Sequence, residues 1–165
     1  MVIRSNLRWC SDGLEFTCWN GEVIRLAFII DAFDREIIAW TAVANAGISG
    51  SDVREMMLEE VEKRFRATRA PQAIEHLFDN GSAYTARDTR LLAQALNLIP
   101  CFTPVASLQS NGMSGAFVKT LKGDYIRITQ VPDAQTALKM ASPRQFISAK
   151  STIHYSFVFL RFLNL

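Results

Sequence analysis

The apolar positions of this chain change period along its length, and the changes mark the elements. Residues 8–41 read as three strands in succession. Residues 15–19, where Phe16 stands between Glu15 and Thr17, extend the first strand, and Asn20-Gly21 after them is a compact turn signal. Residues 23–30 are apolar except for Arg25, the signature of a strand covered on both faces. Residues 31–35 turn the chain, and residues 37–43 supply a third β-rich run.

The period then becomes helical. Val53, Met56, Met57, Val61 and Phe65 recur at helix spacing within residues 51–68, with Glu59, Glu60, Glu62, Lys63 and Arg64 on the other face. Asp52 with Glu55 predicts the capping pair, and Pro71 lies just past the end. Residues 73–78 predict a short strand ending at Asp79. Thr85 predicts the cap of a second helix with Leu91, Leu92, Ala95 and Leu96 on its buried stripe. Residues 98–102 predict a further strand, residues 107–111 a loop, and residues 112–125 a third helix. Three antiparallel strands followed by βα units predict an α/β fold: a mixed sheet with helices on both faces. The ribonuclease-H-like fold has this order, and other α/β folds could share it.

Composition narrows the class without naming a function. The chain has 165 residues, long enough for one domain with a sizeable core. With 49% hydrophobic and 21% charged residues it is not a disordered chain. A formal charge of +2 is too small to signal nucleic acid by itself, so any such contact depends on where the charges sit. Cys10, Cys18 and Cys101 are odd in number and lack CxxC spacing, and His76 and His154 add only two further soft ligands. That set argues against a structural zinc site and for a reduced, cytoplasmic protein. No signal peptide is visible at the start. The apolar run of residues 153–165 contains His154 and Arg161 and is too short to span a bilayer, so no membrane association is expected. Tyr155, Phe157, Phe159 and Phe162 within it could pair as an edge strand or remain an exposed aggregation hazard.

Three stretches could carry chemistry. In Phe78-Asp79-Asn80-Gly81-Ser82-Ala83-Tyr84 an acid follows a strand and precedes a glycine turn, a placement that projects a carboxylate into a crevice. The alternative is a plain Asn80-Gly81 turn stabilised by Asp79. Asp12 sits in the first strand region, within Trp9-Cys10-Ser11-Asp12-Gly13. A central strand rarely holds an unpaired carboxylate, because desolvating it is costly. The alternative is an edge strand with Asp12 in water. The third stretch, Ser107-Leu108-Gln109-Ser110-Asn111-Gly112-Met113-Ser114, is a polar loop feeding a helix.

Taken together, Trp-x-x-Asp, Asp-Asn-Gly after a strand, and Asn-Gly opening a helix resemble the DDE signature of OrfB-type insertion-sequence transposases, relatives of retroviral integrases. The likeness covers roughly residues 4–125, including the apolar strand, Ile-Asp, turn and apolar strand of residues 27–40. The resemblance implies a ribonuclease-H-like catalytic core that transfers phosphoryl groups between DNA strands with two magnesium ions. Asp12 and Asp79 would be catalytic residues and metal ligands. Attack on a phosphodiester needs an activated hydroxyl, in-line geometry and neutralised phosphate oxygens, which acids gathered around magnesium provide. Lys119 and Lys122, on one helix face, and Asn111 before that helix would contact DNA, with phosphates held and bases unread. A solvated helix face is the alternative for the lysines. Partners implied are DNA and a homo-oligomer or an intact transposase.

The match fails at the third acid, where Gly115 stands. Asp124 lies nine positions on and, at roughly 100° per residue, points to the opposite face of the helix. Phe78 replaces a small hydroxyl residue, and Leu108 replaces a proline that usually stiffens the loop. Residues 135–138 run straight into residues 139–146, without the family's intervening helix and Tyr-Asn-x-x-(Arg/His)-Pro-His motif. The family's N-terminal DNA-recognition region is likewise not expected in this chain. The expected organisation is a core over residues 1–130 and a disrupted remnant over residues 131–165, as in a truncated, internally deleted gene copy. Strongly reduced phosphoryl transfer is expected, and a catalytically silent remnant that binds DNA or an intact transposase is the alternative. An unrelated small-molecule domain ranks last, since no GxGxxG or GxxxxGK[ST] loop is present. His76 is expected to be a packed residue, and the run Arg64, Arg66, Arg69 a solvated face.

Overall fold

Strand β1 (Arg8–Thr17) and strand β2 (Val23–Asp31) form an antiparallel hairpin. Cys18 N donates to Glu22 O (2.7 Å) and Gly21 N to Cys18 O (3.0 Å), closing the turn two residues earlier than the alternation suggests. Gly21 adopts a φ of 88°, which a side chain would strain, so Asn20-Gly21 does the work its sequence implies. The computed structural model describes residues 2–34, 36–78, 81–102 and 131–140; the predicted helix of residues 112–125 and the apolar tail lie outside them.

Strand β3 (Ile37–Ala44) pairs antiparallel with β2, with a register shift at Ile29/Ile30. Helix α1 (Gly50–Phe65), strand β4 (Ile74–Phe78), helices α2 (Ser82–Thr85) and α3 (Arg87–Ala95) and strand β5 (Leu98–Phe102) follow, and helix α4 (Ala134–Met140) is last among the described residues. The sheet order is β3-β2-β1-β4-β5, with β1–β4 and β4–β5 parallel. This is the expected mixed sheet of three antiparallel strands and added βα units.

Two apolar layers flank the sheet. On one face Trp9, Ile29, Ile74 and Phe78 pack against Val53, Met56, Met57 and Val61 of α1 and Ala93 of α3. On the other, Leu14, Phe16, Ile24, Leu26 and Phe28 pack against Val131, Ala134 and Ala137. Helices on both faces explain why β2 carries almost no polar residue. Residues 131–140, in the segment expected to be a remnant, are tied to the β1–β2 turn. Trp19 N donates to Val131 O (3.0 Å), Asn20 N to Pro132 O (3.1 Å) and Ala134 N to a Glu22 carboxylate oxygen (2.8 Å).

Local details correct the sequence-based expectations. The N-cap of α1 is Ser49: its hydroxyl accepts from Asp52 N (3.2 Å), and the Asp52 carboxylate accepts from Ser49 N (2.7 Å). Asp52 is therefore the third helical residue of a capping box, and Glu55 has no part in it. The helix ends at Phe65, short of residue 68, because Arg66 turns left-handed (φ 54°) and donates its N–H to Glu62 O. Thr85 lies inside α2, and Ala86, without a side-chain cap, separates α2 from α3. The buried stripe of α3 runs through Thr89, Ala93 and Leu96, while Leu91 is 53% exposed. Thr89 can be buried because its hydroxyl donates to Ala83 O (2.9 Å).

Candidate functional site

Asp12 lies on the central strand of the sheet, so the edge-strand alternative is overturned. It pairs with Phe28 of β2 on one side. On the other, parallel pairing with β4 runs from Arg8↔Glu75 to Cys10↔Leu77, and β4 ends at Phe78. Asp12 thus sits two residues past the last described pair, at the carboxyl end of a parallel strand pair, where α/β sheets open a crevice. Strand alternation puts Asp12 on the face of Cys10 and Leu14, half-buried, and its Oδ1 accepts the Gly13 N–H (2.7 Å).

Asp79, the second predicted ligand, lies outside the described residues, as do Asn80, Asn111, Gly115, Lys119 and Lys122. The residues that flank Asp79-Asn80 are described: Phe78 is the last residue of β4, buried beside β1, and Gly81 is the N-cap of α2. Among the described residues no group of three or more His, Cys, Asp or Glu side chains could hold a metal ion.

Buried polar contacts surround this end of the sheet, and local sequence gave no signal for them. Ser11 Oγ donates to Tyr84 Oη (2.8 Å), both side chains buried. Tyr84 packs on Phe78 with ring centroids 5.6 Å apart. Behind Phe78, His76 pairs with Glu60 of α1, and the His76 and Phe78 rings lie 4.3 Å apart. His76 is a packed residue, as its strand position suggests.

Arg64 departs from the solvated face expected of it. Its side chain is only 17% exposed and forms ion pairs with Asp31 (3.3 Å), Asp34 (2.9 Å) and Glu36, while its Nε donates to Asn6 Oδ1 (2.8 Å). Burial pulls the Asp34 carboxyl upward, but the Ser5 hydroxyl, the Glu36 amide and Arg64 together hold it below the ordinary range. Arg66 and Arg69 are exposed. The Cys10 thiol, buried in the sheet, is pushed up to about 11 by desolvation, so at neutral pH it is a small apolar side chain.

No helix among the described residues is long and apolar enough to cross a membrane. Residues 3–107 match the model of the integrase core domain. The chain is 79% identical to a protein of insertion element IS136 from Agrobacterium fabrum, over 170 aligned positions covering 92% of this chain and 87% of that protein. Those 170 positions exceed the 165 residues of this chain, so the IS136 protein carries residues within the matched stretch that this chain lacks. Transposase InsD for insertion element IS2A/D/F/H/I/K of Escherichia coli is 48% identical over 138 residues. That match covers 84% of this chain and 46% of InsD, so the chain spans less than half the length of that transposase.

Among solved structures, the catalytic domain of Mos1 mariner transposase superposes with a TM-score of 0.64 at 13% identity, covering 95% of this chain and 76% of that one. The catalytic core domain of BIV integrase gives a TM-score of 0.50 at 17% identity, covering 90% and 88%. At such identities these likenesses speak to the fold, which is ribonuclease-H-like. Sequence and architecture agree: the chain belongs to the integrase core domain family.

Proposed function

We propose that this chain is the catalytic core of a DNA transposase whose strand-transfer chemistry is crippled by Gly115. The observation that carries this reading is the place of Asp12: half-buried on the central strand, two residues past the last described pair with β4, the strand whose final residue precedes Asp79. Two carboxylates are a donor set that suits magnesium, which takes few protein oxygens and completes its shell with water and substrate phosphate. Asp12 and Asp79 would hold it, and its charge, when bound, would neutralise phosphate oxygens and activate the attacking hydroxyl. Gly115 supplies no third carboxylate. Lys119, Lys122 and Asn111 would contact DNA, the lysines by neutralising backbone phosphates.

The test compares the purified chain with Gly115→Glu in a magnesium-dependent DNA cleavage and joining assay. The chain itself should give little or no product, and Gly115→Glu should gain activity. A native rate matching that of an intact relative would refute the impairment. The silent-remnant reading is favoured by the same glycine beside retained lysines. It expects DNA binding that weakens with salt, falls in Lys122→Ala, and leaves Gly115→Glu without catalytic gain.

A further inference from the structure

We propose that Ser11 and Tyr84 form a positioning strut that locks the segment carrying Asp79 to the strand carrying Asp12. The inference rests on the reading of those two acids as metal ligands. Among the described residues, backbone pairing between β1 and β4 runs from Arg8↔Glu75 to Cys10↔Leu77. The hydrogen bond between Ser11 Oγ and Tyr84 Oη, 2.8 Å long, begins one residue beyond that last pair. Ser11 is 9% exposed and Tyr84 7% exposed, so the contact is shielded from water. Alternation sends the Ser11 side chain to the face opposite Asp12, so β1 is gripped from behind where its carboxylate emerges.

Tyr84 also holds both flanks of the Asp79-Asn80 pair. Its ring packs against Phe78, the residue before Asp79, at 5.6 Å between centroids. Its backbone N–H donates to Gly81 O (3.0 Å), the residue after Asn80. Tyr84 therefore links, through its side chain, the residue before the second acid to the neighbour of the first, and through its backbone it meets the residue after that dipeptide. Ligands held by such outer contacts keep their spacing without reorganising when a cation arrives. Removing either hydroxyl breaks the link and leaves the other group buried with one partner fewer.

The test titrates the full chain with Mn2+, which favours the same oxygen donors as magnesium and is read by electron paramagnetic resonance. Native chain, Tyr84→Phe, Ser11→Ala, the double variant, Ser11→Thr and Asp12→Asn are compared, each with its urea unfolding midpoint. Tyr84→Phe and Ser11→Ala should each weaken Mn2+ binding by about tenfold. The double variant should be no worse than either alone, because both remove one link. Ser11→Thr, which keeps the hydroxyl, should stay near the native affinity. Unchanged Mn2+ affinity in Tyr84→Phe and Ser11→Ala would overturn the strut, whether or not the urea midpoints fall. Equal Mn2+ binding by the native chain and Asp12→Asn would instead overturn the ligand reading, and this inference with it.

Discussion

Glu60 of α1 and His76 of β4 meet in the interior with both side chains fully buried, His76 Nε2 lying 3.1 Å from Glu60 Oε2 in a hydrogen bond. Glu60 Oε1 is 3.0 Å from the same nitrogen in poor alignment, and it and His76 Nδ1 have no hydrogen-bond partner among the described residues. Two incompletely satisfied groups in the interior are a source of pH sensitivity.

Burial pushes the Glu60 carboxyl above its ordinary 4.5, and His76 only partly offsets this. The folded state thus keeps a proton that the unfolded chain gives up. That contribution is fully present below pH 4.5 and is lost as pH rises through the raised value. Glu60→Gln cannot ionise, so its stability relative to the native chain should climb as pH rises from the acid side towards neutrality. Urea midpoints measured across that range check this, and a difference that stays constant with pH would contradict it.

Asp31 is buried completely, and its carboxylate is a hub for the start of the chain. Oδ2 accepts from Asn6 N (2.8 Å), Trp9 Nε1 (3.2 Å) and Arg64 (3.3 Å), and Oδ1 accepts from Phe33 N (2.8 Å). Asp31→Ala strands these donors and should cost about 3 kcal/mol in urea unfolding. Asp31→Asn, which keeps the shape and one acceptor, should cost less.

At Gly13 a Cβ would lie 3.0 Å from Leu26 O, a backbone atom inside the β1–β2 ladder that cannot move without disturbing it. Gly13→Ala should therefore destabilise the chain by about 1 kcal/mol and Gly13→Val by more. Thermal melting of the two variants checks the ranking, and an unchanged melt for Gly13→Val would contradict it.

Ser49→Ala removes the hydroxyl that accepts Asp52 N at the start of α1. A loss of about 1 kcal/mol is expected, with Glu55→Ala near neutral because Glu55 takes no part in the cap. Equal losses in both variants would count against Ser49 as the N-cap.

Elements whose pattern is local were legible in the chain itself. The unbroken apolar run of β2, the alternation entering β1, the Asn20-Gly21 turn, the helical spacing of Val53 to Phe65 and the short β5 all follow from period and turn chemistry. Family kinship was equally legible, because Asp12, Asp79-Asn80-Gly81 and Asn111-Gly112 keep their order and the gap at Gly115 is a matter of residue identity.

Tertiary structure alone decided what those residues face. Nothing near Asp12 in sequence says that β1 is the central strand, because its neighbours come from β2 and from β4, far along the chain. Arg64 looked solvated until Asp31, Asp34 and Glu36 were folded against it, and Leu91 looked buried until α3 turned Thr89 and Ala93 inward. Glu60 with His76 and Ser11 with Tyr84 are likewise pairs made across the fold. Periodicity along a chain encodes which side of an element is apolar; which distant groups share a buried space is set only when the layers close and water leaves.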